Sequence, residues 1–180
     1  MTAHLNDVLG FWRSAGPAKW YAKDARFDEA IRLKFEPVHH AAARGEYDSW
    51  AQSPAGALAL LILLDQFPRN LYRGSGHAFA TDPKARAIAR AAVESGFHLQ
   101  VERDFQQFFI LPFEHSENLA DQDFALALAT ELDDPEIVKW VVIHRDIIAR
   151  FGRFPHRNAC LGRVTTSDEQ TFLDDGGFAG

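Results

Sequence analysis

The stretch Ser53-Pro54-Ala55-Gly56-Ala57-Leu58-Ala59-Leu60-Leu61-Ile62-Leu63-Leu64 decides the fold class of this chain. Ser53 as N-cap with Pro54 at the first helical position is a start signal, because Pro loses nothing where the N–H has no intrahelical partner. From Ala57 to Leu64 every face is apolar, so the helix is expected to be buried all round, at the centre of a helical core. The apolar run from Ala55 falls far short of the roughly 20 residues that span a bilayer. Asp65 follows in the last turn, where a carboxylate opposes the helix macrodipole and costs about 0.3–1 kcal/mol if exposed and unpaired. A cationic partner is therefore expected, either Arg69 or an arginine from further along the chain.

Outward from this helix the chain punctuates itself repeatedly. Leu5 to Arg13 reads as a helix ended by Gly16-Pro17. Asp24 caps a second, with Phe27, Ile31, Leu33, Phe35 and Val38 as its apolar set, a kink or break at Pro37 and a stop at Gly45. Thr81-Asp82-Pro83 starts an alanine-rich helix that stops at Gly96. Val101 to Leu111 reads as one phenylalanine-rich helix, and Phe124, Leu126, Leu128 and Leu132 mark another. Asp133-Asp134-Pro135 launches the most clearly amphipathic one, with Ile137, Trp140, Val141, His144, Ile148 and Phe151 as its stripe and Gly152 as its end. Ser167 and Gln170 have capping-box spacing for a last helix, and Asp174-Asp175-Gly176-Gly177 reads as a frayed tail. No stretch reads as a strand. The expectation is an all-α domain over residues 1–180, with seven to nine helices in antiparallel pairs.

The bulk numbers bound the function. The 180 residues carry a net charge of −6, which argues against a general nucleic-acid binder. A single cysteine, Cys160, forbids an internal disulfide and fits a reducing cytoplasm; burial is expected for it. The N-terminal residues do not read as a signal peptide, and no membrane segment, metal or cofactor is called for.

A second stretch carries chemistry: Phe151-Gly152-Arg153-Phe154-Pro155-His156-Arg157-Asn158. Upstream, Asp65-Gln66-Phe67-Pro68-Arg69-Asn70 echoes its Phe-Pro step and Arg-Asn pair. Arginine offers a planar fork of donors suited to carboxylates and phosphates, and both clusters directly follow helices. Two readings stay open. The arginines line an anion pocket, or Asp65, Glu117 and Asp146 neutralise them in a purely structural network. His115 lies between acids in Glu114-His115-Ser116-Glu117, a spacing that does not match a zinc helix motif. His144 lies on an apolar stripe, either as a hydrogen-bonded core residue or facing a ligand. Trp12, Trp20, Trp50 and Trp140 read as packing residues.

These motifs, together with Phe11-Trp12, Trp20-Tyr21, Gly162-Arg163, Glu169 and Phe172-Leu173, resemble a bacterial family of uncharacterised proteins, domain of unknown function 924. The resemblance covers nearly the whole chain. It implies an all-helical fold akin to the tetratricopeptide-like superfamily, and it implies no established activity.

The function expected from the residues is binding of an anionic small molecule or peptide carboxylate by Arg69, Asn70, His115, Glu117, His144, Arg153, His156, Arg157 and Asn158. The alternatives are a helical-repeat interaction scaffold and a hydrolase using His115, Glu117 and His144 or His156. All three turn on whether His115, His144 and His156 converge.

Overall fold

A computed structural model describes residues 5–178. Among them there is no strand; the fold is all-α. The described residues divide into two compact units, 5–73 with 77–112 and 74–76 with 113–178.

In the first unit, α1 (Leu5–Ala15) and the short α2 (Pro17–Trp20) stack Trp12 against Trp20. The Trp20 indole also donates to the Trp12 carbonyl at 2.8 Å. α3 (Ala25–Ala43) starts at Asp24, whose carboxylate accepts from Arg26 N and Phe27 N. It runs unbroken through Pro37. Its buried stripe is Phe27, Ile31, Phe35 and His39 at intervals of four. Leu33 stands two residues off that stripe and is 76% exposed, against the sequence expectation.

α4 (Pro54–Leu61) is the central helix, with every residue from Gly56 to Leu61 buried. It does not continue as an α-helix. Ile62–Gln66 forms a π turn in which Phe67 N reaches back to Ile62 O, and α5 (Phe67–Leu71) follows directly. The π turn diverts the Phe67 donor from Leu63 O, and Pro68 has no N–H for Leu64 O, so two buried carbonyls need other donors. His39 Nδ1 bonds Leu63 O at 2.8 Å and the Thr81 hydroxyl bonds Leu64 O at 2.5 Å. Arg69 donates to Asp65 O. The first Phe-Pro step thus makes a helix defect that His39, Thr81 and Arg69 repair.

α6 (Asp82–Glu94) ends at Gly96, whose φ of +69° stops it. The predicted single helix over 101–111 is instead α7 (Arg103–Gln106), a 3-10 turn at Gln107–Phe109 and α8 (Leu111–Glu114). Phe105, Phe108 and Phe109 are all buried.

In the second unit, α9 (Leu119–Glu131), capped by Asn118, packs on α10 (Pro135–Phe151), capped by Asp134. Gly152 closes α10 with φ +70°. The buried positions of α10 are Val141, His144, Ile147 and Ile148, so the stripe is rotated from the one expected. Trp140 is 45% exposed and is not a packing residue. A 3-10 turn at Pro155–Arg157 leads towards α11 (Ser167–Asp174). The capping box of α11 is Thr166 with Glu169, one residue earlier than its predicted Ser167 and Gln170. Its end is not frayed. Gly176 N bonds Leu173 O at 3.2 Å and Gly177 N bonds Phe172 O at 2.9 Å, a Schellman turn with Gly176 at φ +82°. No helix among the described residues is long and apolar enough to cross a membrane.

Candidate functional site

The expected site residues sort themselves by their partners. Arg69 and Asn70 belong to networks of the first unit. Arg69 forks onto Asp82 at 3.1 and 3.2 Å and approaches Asp65 at 3.4 Å, which supplies the cation that Asp65 demanded. Asn70 donates to Asp28 at 2.8 Å, and Arg73 reaches the same carboxylate at 2.6 Å. These groups tie α3, α5 and α6 together.

In the second unit two further arginines are equally committed. Arg153 forks onto Glu169 at 2.6 and 2.8 Å, and Asn158 donates to the same carboxylate at 3.2 Å. The Arg153 hydrogen bonds, with help from Thr166, hold the Glu169 carboxyl down to about 2. Arg163 forks onto Glu117 at 2.8 and 2.7 Å, and Phe154 N donates to Glu117 at 2.9 Å. Burial alone would raise the Glu117 carboxyl, but Arg163, the Phe154 amide and Arg157 together hold it below the usual range. Glu117 fastens residues 113–118 to 153–166, and Glu169 fastens residues 153–166 to α11. Gln122 adds to this by donating to Glu114 O and Ser116 O at 2.6 and 2.7 Å.

What the two fastened loops hold in place is a cluster of histidines. The rings of His115 and His144 are 6.4 Å apart. Phe154 lies 5.6 Å from both His144 and His156. Phe178, carried round by the Schellman turn, sits 4.5 Å from His144 and 5.2 Å from His156. His144 and His156 therefore converge on Phe154 and Phe178, with His115 beside His144, a question the sequence left open. Arg157 is buried beside them, donating to His115 O at 3.0 Å with its guanidinium 4.4 Å over the Phe154 ring.

His144 is the centre of the cluster. Its Nδ1 lies 2.9 Å from Trp140 O and 3.1 Å from Glu114 Oε1. Both are acceptors, so Nδ1 carries the proton and Nε2, on the other edge of the ring, keeps its lone pair. Burial, opposed by the Trp140 bond and reinforced by His115, Arg157 and His156, pushes the imidazole down to about 3. His144 is neutral at pH 7.

That neutrality has a pH signature. The folded value lies below the unfolded value of 6.5, so the unfolded chain takes up the proton first and stability declines as pH falls below 6.5. Between pH 6.5 and 4.5 the decline attributable to His144 is expected to reach about 2 kcal/mol. Urea unfolding at stepped pH checks this; His144→Gln should flatten the slope in that window, before most carboxylates titrate.

The family model described as bacterial protein of unknown function (DUF924) matches residues 8–177. The chain belongs to this family. The solved structure of a protein of unknown function, ATU0120 from Agrobacterium tumefaciens, superposes on it with a TM-score of 0.93 at 46% identity. The match covers 96% of this chain and 97% of that one. No curated protein matches. Family membership establishes the fold and leaves the reaction, if there is one, to the site itself.

Two residues of that site were not foreseen. Glu114 and Phe178 were named for no role, although Glu114 adjoins His115 and a lone Phe beyond a Gly-Gly pair was a visible signal. Cys160 is half-buried, with its thiol donating to Arg157 O at 3.2 Å. Asp146 is on the exposed side of α10 and stands apart from the cluster, 3.9 Å from Arg145. Among the described residues no three His, Cys, Asp or Glu side chains are grouped closely enough to hold a metal ion.

Proposed function

We propose that this family member is a cytoplasmic protein that binds a small anionic molecule, a carboxylate or phosphate, at the cluster of His115, His144, His156 and Arg157. One observation carries the reading: the buried Arg157 guanidinium and the rings of His115, His144 and His156 are gathered at one place. The groups that depress His144, namely His115, Arg157 and His156, are the groups that would favour an anion beside it. In this reading Glu114 orients the imidazole from behind, as a carboxylate commonly does for a working histidine. Arg153, Asn158 and Arg163 act one step removed, by fixing the two loops through Glu169 and Glu117.

The test follows the histidine ring nitrogens by NMR while acetate or inorganic phosphate is titrated in at pH 7. The resonances of His115, His144 and His156 should move together, with those of His39 and His98 unmoved. His156→Gln should weaken the response of the other two. If no cluster histidine responds to either anion, the reading fails.

A further inference from the structure

Away from the histidine cluster an open cleft of about 290 Å³ lies between α10 and α11. Its apolar lining is Ile143, Ile147 and Phe151 of α10, Phe172 of α11, and Phe178. Ile143, Phe151, Phe172 and Phe178 are only partly buried, so the cleft leaves apolar surface in contact with water. One wall is built in. A Cβ on Gly177 would stand 2.6 Å from the Phe172 ring and closer still to the Phe172 carbonyl, so only glycine lets the chain fold back tightly enough to set Phe178 there.

Along α10 the residues Ile143, Ile147 and Phe151 recur at intervals of four, the spacing of a ridge that packs into a groove on another helical surface. Asp146 and Arg150, also four apart, run beside that ridge and complete the lining of the cleft. An acid four residues before a base is placed for an ion pair within the helix, yet these two do not pair with each other. The Asp146 side chain is 69% exposed and lies 3.9 Å from Arg145, the outer limit of an ion pair. The Arg150 guanidinium instead lies back over rings, 4.5 Å from Phe151 and 5.8 Å from Phe172.

An acid and a base one turn apart on the same edge of an apolar ridge are complementary to their own copy. In an antiparallel pair of helices related by a two-fold axis, each edge meets the same edge of its mate with the direction reversed. An axis passing between residues 146 and 150 therefore brings each Asp146 to the other copy's Arg150, twice over. The same axis sets Ile147 beside its own counterpart and turns Ile143 towards Phe151 of the other copy. A membrane surface or a charged peptide would be met by a rim of one sign. A rim that carries its own opposite fits a second copy of this chain.

We propose that the protein forms a two-fold symmetric dimer through α10, the ridge of Ile143, Ile147 and Phe151 of each copy lying in the α10–α11 cleft of the other, with two reciprocal Asp146–Arg150 ion pairs across the axis. The proposal is independent of the anion site.

The experiment is sedimentation equilibrium on the full chain, from low to high micromolar concentration. The wild type should pass from monomer to dimer over that range. Asp146→Arg and Arg150→Asp each replace two attractions by two repulsions, and each should weaken the dimer by on the order of tenfold or more. Mixed in equal amounts, the two variants should recover wild-type association as a heterodimer, because each supplies the charge that the other lacks. The double variant Asp146→Arg with Arg150→Asp should recover it alone. Both side chains are exposed, so the variants should fold, which far-UV circular dichroism checks. A wild type that stays monomeric throughout overturns the proposal. So does a dimer that both single variants leave untouched, since the copies then meet on another surface. Single variants that weaken association without rescue on mixing reveal a general charge effect and overturn it as well.

Discussion

Gly56→Ala is expected to destabilise the protein by about 3 kcal/mol or more, although alanine is the better helix former by about 1 kcal/mol. Gly56 is the third residue of α4, and Ser53 caps that helix by accepting from Gly56 N at 3.2 Å. A Cβ there would collide with the carbonyl oxygen of Trp50, stand 2.7 Å from its carbonyl carbon and lie 2.9 Å from Ser53 Oγ. The first two atoms are backbone and cannot rotate away. Either the 3-10 turn at Asp48–Gln52 must move off α4, or the start of α4 must shift. Moving α4 disturbs a fully buried helix, since Ala57, Leu58, Ala59, Leu60 and Leu61 have no exposed surface to absorb the change. Moving the turn breaks the Ser53 cap, a further loss of about 1 kcal/mol. Chemical denaturation followed by far-UV circular dichroism measures the effect. Ser53→Ala gives the cap loss alone, and equal losses in the two variants would show that the turn accommodates the methyl group.

The reading from sequence succeeded where one local rule had no competitor. The caps at Asp24, Ser53 and Asp134, the stops at Gly45, Gly96 and Gly152, and the all-round burial of α4 each follow from a signal contained within a few residues. It slipped where tertiary donors replaced helical ones. Nothing in Leu63-Leu64-Asp65-Gln66 announces a π turn, because the donors that make it tolerable, His39 and Thr81, lie 24 and 17 residues away. The rotated stripe of α10 has a related cause. Trp140 and Ile147 differ in burial through what packs over them, which hydrophobicity along the helix does not encode. At the candidate site the residue types were legible and their roles were not. Arg153, Asn158 and Arg163 looked like ligand-binding groups because an arginine bound to a buried glutamate and one waiting for a ligand have the same sequence. Glu169 and Glu117 decide between the two, at separations of 16 and 46 residues from their arginines.

Glu169 is for that reason the position where the second unit should be most vulnerable. Its carboxylate is buried and accepts from Arg153 twice, from Asn158 Nδ2 and from Thr166 N, at 2.6 to 3.2 Å. Glu169→Ala removes an acceptor from four donor contacts at once. The Asn158 side chain is fully buried and has no access to water as a substitute. Arg153 is 30% exposed and can turn to water, so the cost falls chiefly on the stranded, buried Asn158, about 1–3 kcal/mol, seen as a lower urea midpoint. Glu169→Gln keeps one oxygen but places an N–H among donors, so it should recover only part of the loss. Acid acts on the same group with a definite sign. A carboxyl held down to about 2 against an ordinary 4.5 contributes fully above pH 4.5, and its contribution is lost as pH falls through about 2. The wild type should therefore lose its advantage over Glu169→Gln progressively between pH 4.5 and about 2, after the decline between pH 6.5 and 4.5 that His144 sets. The consequence for the histidines separates structural from ligand-binding roles. If Arg153 and Glu169 only fasten the loops, Glu169→Gln should leave acetate affinity nearly unchanged once the protein is folded, whereas His156→Gln should reduce it with little change in the urea midpoint. A folded Glu169→Gln variant with acetate binding as weak as that of His156→Gln would place Arg153 among the ligand's own contacts.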